Sequence, residues 1–222
     1  MPPRKPRAAI IEIIGTSEAA KWNYRQRPQY TRPLDGPDLL LEHTDAELLR
    51  RAARGEEAAF TVLYDRRQGG IYRYALQMCG RPEVAEEIVQ EVFITLAREL
   101  GRYDAARGSV AGYLLGIARN LVLRWLTRDR SQVGLDDADA VPAPGGPLEV
   151  VLRSESDEAV RCAVLALPES YREAVVLCDL QELSYAEASE VMGCPVGTVR
   201  SKLSRGRDLL AQKLQVKRYV YE

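Results

Sequence analysis

The side chains best suited to chemistry in this chain are a run of small and basic residues near its C-terminal end. Residues 184 to 207, SYAEASEVMGCPVGTVRSKLSRGR, read as a short helix, a tight turn at Gly193-Cys194-Pro195, and a second helix that opens on small residues and becomes basic. A helix entering the major groove needs short side chains at its start for close approach, and donors further along for base edges and phosphates. Gly197, Thr198, Arg200, Ser201, Lys202 and Arg205 supply both. Between 196 and 218, seven basic residues stand against Asp208 alone, a local stripe of the kind that meets phosphates. The same pattern also fits an ordinary helical hairpin with a solvated basic face.

Other chemistries have little to build on. There is no glycine-rich phosphate loop and no nucleophile elbow. The four cysteines, Cys79, Cys162, Cys178 and Cys194, lie far apart, and His43 is the sole histidine, so no pair has zinc-ligand spacing. The sequence predicts no catalytic residue, no metal site and no cofactor, with His43 a surface residue just ahead of the first expected helix.

The elements that must position the basic run are helical. Only 7% of residues are aromatic, while Ala, Leu, Val, Glu and Arg, mostly good helix formers, dominate a chain that is 46% hydrophobic. The net charge of -1 hides an uneven distribution, because residues 131 to 160 carry 1 basic and 7 acidic side chains. The start MPPRKPR is basic, but the apolar run after it is short and broken by Glu12, which suits neither export nor membrane insertion and predicts a cytoplasmic protein.

Residues 1–44 read as an irregular extension, since the prolines of WNYRQRPQYTRP stop any helix. Thr44 and Glu47 form a capping-box pattern opening a helix over 45–54. A second helix spans about 56–79, with Phe60, Leu63, Tyr64, Ile71 and Tyr74 for burial and Gly80 as its stop. Pro82 suits the first turn of a third, in which Val84, Ile88, Val92, Phe93, Leu96 and Leu100 share one face and Glu86, Glu87, Gln90 and Glu91 the other. Ser109 can cap a fourth helix with Leu114, Ile117, Leu121 and Trp125 as its apolar stripe. Its other side carries Asn120, Arg124 and Arg128, with Arg119 adjacent. The run SQVGLDDADAVPAPGGP cannot bury enough apolar surface to order itself and reads as a linker. Beyond it helices are expected near 154–166, 168–179, 184–192 and 195–214. The expected fold is all-α: two small helical domains, at 45–130 and 154–216, joined by a flexible acidic linker over 131–153, with the helix-turn-helix in the second and a tail at 217–222.

The contiguous run LPESYREAVVLCDLQELSYAEASEVMGCPVGTVRSKLSRGRDLL closely resembles the promoter-binding C-terminal domain of extracytoplasmic-function sigma factors, of the sigma-70 family. AEEIVQEVF at 85–93 resembles the same family's polymerase-clamp-binding helix, and Tyr103 to Arg130, with IARN at 117–120, its promoter-melting segment. The resemblance implies a specificity subunit of RNA polymerase that binds the beta-prime clamp and the beta flap. Glu86, Glu87, Gln90 and Glu91 would form part of the clamp-binding surface; a solvated helix face is the alternative. The loop Asp104 to Ser109, Tyr113 and Asn120 would capture an unstacked base of the minus-ten element, at a cost of a few kcal/mol for leaving the stack. Arg119 and Arg124, with Arg128 beyond them, would hold strand phosphates. Thr198, Arg200, Ser201, Lys202 and Arg205 would meet the minus-thirty-five element, with Lys202 on the backbone. Asp136, Asp137 and Asp139 would either enter the polymerase channel or serve as a solvated tether.

The resemblance also implies promoter DNA as ligand, an anti-sigma factor as partner and a monomer when free. Three departures stand out. Tyr113 takes a place where the family often has tryptophan, Ala188 replaces a larger aliphatic, and Gly206 should weaken the basic helix by about 1 kcal/mol relative to alanine, so that it frays early. The main competing reading is a free-standing helix-turn-helix regulator, which would dimerise and bind duplex DNA without polymerase.

Overall fold

The computed structural model describes residues 42–132 and 155–220. The expected linker beyond Gln132, the last two residues of the tail, and the N-terminal extension apart from 42–44 lie outside the described residues. Among those described there are eight α-helices: α1 (Asp45–Ala53), α2 (Glu57–Cys79), α3 (Pro82–Arg98), α4 (Val110–Gln132), α5 (Glu155–Leu165), α6 (Glu169–Val175), α7 (Tyr185–Met192) and α8 (Val196–Val220).

Local signals account for most boundaries. The Thr44 hydroxyl accepts from the Glu47 amide at 3.3 Å, while the Glu47 carboxylate turns to His43, 3.7 Å away, so one half of the expected capping box forms. His43 is partly buried, its Nε2 lying 2.6 Å from an Arg51 nitrogen, rather than lying freely on the surface. Gly80 ends α2 in the left-handed conformation at φ 74°, a geometry that costs other residues a steric clash. Pro82 opens α3, where its missing N–H has no helical partner to lose. Ser109 caps α4 by accepting from the Gly112 amide at 3.1 Å.

The first four helices pack as a bundle around Leu48, Phe60, Leu63, Tyr74, Met78, Phe93, Leu96 and Leu114, all fully buried. The Phe93 ring meets Phe60 edge-on at 6.1 Å and Tyr64 at 4.6 Å. In α4 the deepest row is Leu114, Ala118 and Val122, with Leu115 beside it; the expected Ile117, Leu121 and Trp125 are only partly buried. A helix offers several neighbouring four-step rows, and here the row that carries Ala118 and Val122 packs deepest. Large side chains then remain at its margin.

The C-terminal helices pack against the N-terminal bundle. Leu167, Val175, Val176, Leu177, Ala188, Val199 and Leu203 belong to the same buried cluster as the N-terminal bundle. Helices α5 and α6 lie against α2, and α7 lies across α4. The expected helix over 168–179 is α-helical to Val175 and then widens into one π turn, Val176–Leu180, closed by the Gln181 amide on the Val176 carbonyl at 2.9 Å.

The expectation of early fraying at Gly206 is overturned. Helix α8 runs on through Gly206, which is buried where α8 crosses α6. A Cβ there would sit 2.8 Å from Val175 Cγ2 and 3.1 Å from the Tyr171 carbonyl. The glycine is needed for close approach, and the packing it permits outweighs its poor helix propensity.

Candidate nucleic-acid interface

Two helices build the helix-turn-helix. Ser184 and Glu187 close a complete capping box at the start of α7, with the Ser184 hydroxyl accepting from the Glu187 amide at 3.2 Å and the Glu187 carboxylate accepting from the Ser184 amide at 3.0 Å. The Ser184 hydroxyl, which donates to the Glu187 carboxylate at 2.8 Å, and then the Ser184 amide hold the Glu187 carboxyl below its ordinary range. Gly193, at φ 61°, makes the sharp turn, and the Pro195 carbonyl takes the Thr198 and Val199 amides to start α8. Ala188, Val191, Met192, Val199 and Leu203 pin the inner faces together.

That anchoring leaves Arg200, Ser201 and Arg205 exposed along the outer face of α8, with Thr198 and Lys202 half-buried beside them. The Arg200 guanidinium lies 5.4 Å from the centre of the Tyr185 ring, a stacking that narrows its orientations. Arg207 is committed elsewhere, because its Nε and Nη2 meet the two Asp179 oxygens at 3.0 and 2.6 Å, which pushes the guanidinium up. The basic stripe is therefore less positive than its count of residues suggests.

The second candidate surface lies on α4 and the loop before it. The loop is held by the Asp104 carboxylate accepting from the Ala106 amide at 3.0 Å and the Tyr103 hydroxyl donating to the Gly108 carbonyl at 2.9 Å. Tyr113 is half-buried, its ring tilted by 60° to that of Tyr103 at a centroid distance of 5.7 Å. Asn120, Arg124 and Arg128 are exposed. Arg119 is not: its Nε donates to Glu173 Oε1 on α6 at 2.5 Å, with side chains only 22% and 6% exposed. Burial pushes the Glu173 carboxyl up, and Arg119 partly offsets this.

On α3 Glu87 is exposed, while Glu86, Gln90 and Glu91 are partly covered and Glu91 lies 3.9 Å from Arg98. Sequence reasoning missed the residues Arg172, Glu173 and Glu187, which join the two halves, and read Ser109 only as a cap and loop residue although its hydroxyl also meets Glu187 at 3.1 Å. The one visible signal was Glu173 itself, a carboxylate directly before the apolar run AVVL. Among the described residues no group of acidic, histidine or cysteine side chains could hold a metal ion, and no helix is long and apolar enough to cross a membrane.

An all-helical bundle followed by a helix-turn-helix with an exposed basic face defines the class of a promoter-reading transcription factor. The family model described as Sigma-70 region 2 matches residues 63–132, and that of Sigma-70, region 4 matches residues 157–210. The sequence is 32% identical over 190 residues to the RNA polymerase sigma-H factor of Pseudomonas aeruginosa, covering 80% of this chain and 97% of that protein. It is 34% identical over 185 residues to the ECF RNA polymerase sigma-E factor of Escherichia coli K12, covering 78% and 95% respectively. The fold is similar to that of the sigma factor RpoE bound to the anti-sigma factor NepR from Bartonella quintana, with a TM-score of 0.54, 22% identity and coverage of 67% of this chain and 92% of that one. It is also similar to CnrH in complex with the cytosolic domain of CnrY, with a TM-score of 0.59, 23% identity and coverage of 78% and 97%. The chain belongs to the extracytoplasmic-function sigma factors of the sigma-70 family.

Proposed function

We propose that this protein gives bacterial core RNA polymerase its promoter specificity and makes or breaks no bond itself. The reading rests above all on one observation: both sigma regions occur in one chain, in order, with the outer face of the recognition helix exposed. Residues 45–130 act as region 2. Glu86, Glu87, Gln90 and Glu91 dock on the beta-prime clamp, and Tyr113, Asn120, Arg119 and Arg124 capture and hold the unpaired minus-ten strand. Residues 154–216 act as region 4, bound to the beta flap, with Thr198, Arg200, Ser201, Lys202 and Arg205 on the minus-thirty-five duplex. Residues 131–153 are the tether between them. Separate binding of two promoter elements by tethered domains gives an affinity neither has alone, which is why polymerase must hold them apart at the right spacing. The free protein is a cytoplasmic monomer, held in check by an anti-sigma factor.

The test is in vitro transcription from a genomic promoter library, with purified core polymerase from the same bacterium, with and without this protein. Discrete transcripts that require the protein and are lost on Glu87→Ala or Asn120→Ala are the expected result. No transcripts from a folded protein that binds duplex DNA on its own would overturn the reading in favour of a free-standing regulator.

A further inference from the structure

Tyr185 is the first residue of α7, where the capping box between Ser184 and Glu187 fixes the backbone that carries it. Its side chain is 38% exposed, whereas Val191 and Met192 on the same helix are buried. Arg200 stands in the second turn of α8 with its Cζ over that ring, 5.4 Å from the centroid. Ring and guanidinium come from different helices. Their meeting therefore depends on the turn at Gly193 and on the buried contacts that seat α8 against α7.

How an arginine is held decides what it can still bind. Arg207 is held by its edge, because Nε and Nη2 are both on Asp179, and those donors are spent. Arg200 is held by its face, and among the described residues no carboxylate pairs with it. A guanidinium stacked on a ring keeps its N–H donors, which lie in its own plane. The neighbouring Ser201 hydroxyl donates to the Thr198 carbonyl at 2.9 Å, so at this point of the outer face the donors belong to Arg200. In the major groove guanine offers two acceptors, N7 and O6, at the spacing of an arginine fork.

We propose that Tyr185 is a positioning residue for promoter choice: it holds the Arg200 fork toward the base edges, so that selection of a guanine at one step of the minus-thirty-five element depends on a ring outside the recognition helix. This rests on the reading of α8 as the minus-thirty-five helix. An unsupported arginine has to be ordered as it binds, and it can swing to a phosphate when the base does not match. A stacked one is ordered beforehand, which favours the matching base, while at a mismatched base its donors are left without partners. Both effects widen the gap between the right base and the wrong ones. Tyr185 acts here through Arg200 and needs no contact of its own with DNA.

The experiment is in vitro transcription with purified core polymerase and the full chain on promoters randomised across the minus-thirty-five element, read by sequencing the transcripts. Wild type is compared with Tyr185→Ala, Tyr185→Leu, Tyr185→Phe, Arg200→Ala and the double variant Tyr185→Ala/Arg200→Ala, with helix content checked by far-UV circular dichroism. Arg200→Ala should abolish the preference for a G·C pair at one position. Tyr185→Ala should lower the preference at that same position by about two- to tenfold, the range expected for ordering one long side chain. Tyr185→Phe should keep it, because the π face remains. The double variant should match Arg200→Ala. Should Tyr185→Ala misfold, Tyr185→Leu decides, since it keeps apolar bulk without the ring. An unchanged preference in Tyr185→Ala or Tyr185→Leu overturns the proposal, as does an equal loss on every promoter or a further loss of preference in the double variant. A wild-type protein that yields no transcripts overturns the sigma reading itself, and this proposal with it.

Discussion

Replacing Gly206 by alanine should destabilise this protein, against the rule for a helix interior. In an open helix the change gains about 1 kcal/mol, because alanine loses less backbone entropy on folding. Here the added methyl would stand 2.8 Å from Val175 Cγ2 and 3.1 Å from the Tyr171 carbonyl oxygen. Neither neighbour can yield easily, since Val175 is β-branched and fully buried, and the oxygen belongs to the backbone of α6. Overpacking of that kind costs about 2–3 kcal/mol, leaving a net loss of about 1–2 kcal/mol. With a urea m-value of about 2 kcal/mol/M, the midpoint of unfolding followed by far-UV circular dichroism should fall by about 0.5–1 M. Gly116→Ala is the matched control, because a Cβ there meets nothing within 4 Å, and its midpoint should rise by about 0.5 M. Adding Val175→Ala to Gly206→Ala should recover about 1 kcal/mol beyond additivity, as expected of residues in contact. If Gly206→Ala raises the midpoint as Gly116→Ala does, α8 is not seated on α6 as described, and the explanation for the glycine fails.

Ser184→Ala should cost about 1 kcal/mol by removing the cap of α7. Because the Glu187 carboxyl titrates lower when folded than when unfolded, its contribution is present above the ordinary carboxyl range and is lost as pH falls through the depressed value. The cost of Ser184→Ala in urea midpoints should accordingly shrink in acid, and a cost independent of pH would contradict the capping-box assignment. The Cys79 thiol is buried and pushed up to about 12 by desolvation, so at pH 8 only about one in ten thousand is thiolate. Iodoacetamide followed by mass spectrometry should leave Cys79 unmodified in native protein and alkylate it in urea; rapid native labelling would refute its burial. Lys202→Ala, removing one phosphate contact, should weaken holoenzyme binding to all cognate promoters alike and lower the slope of log affinity against log salt by about 0.9. An altered base preference would instead place Lys202 on the base edges.

What could be read in advance was set within a turn or two of chain. The cap at Thr44, the stops at Gly80 and Gly193 and the opening at Pro82 all depend on groups no more than four residues apart. Helix existence, the helix-turn-helix and the exposed positions of Arg200, Ser201 and Arg205 followed from them, and the two sigma regions were recognisable in order. The exposure of Asn120, Arg124 and Arg128 was legible for the same reason, as one side of an amphipathic helix.

Only the tertiary structure decided the rest. Arg119 and Arg124 look alike along α4, yet one is closed on a carboxylate 54 residues away and the other is exposed. Gly206 looked like a weak point in α8 until α6 was laid against it. The row of α4 that packs deepest, and the packing of the C-terminal helices against the N-terminal bundle, were equally beyond local reading. The reason is common to all four: caps and periodicity are paid in bonds between near neighbours, whereas burial depends on which surface the chain brings over a residue. An arginine's sequence context is the same whether solvent or a glutamate of its own chain lies against it.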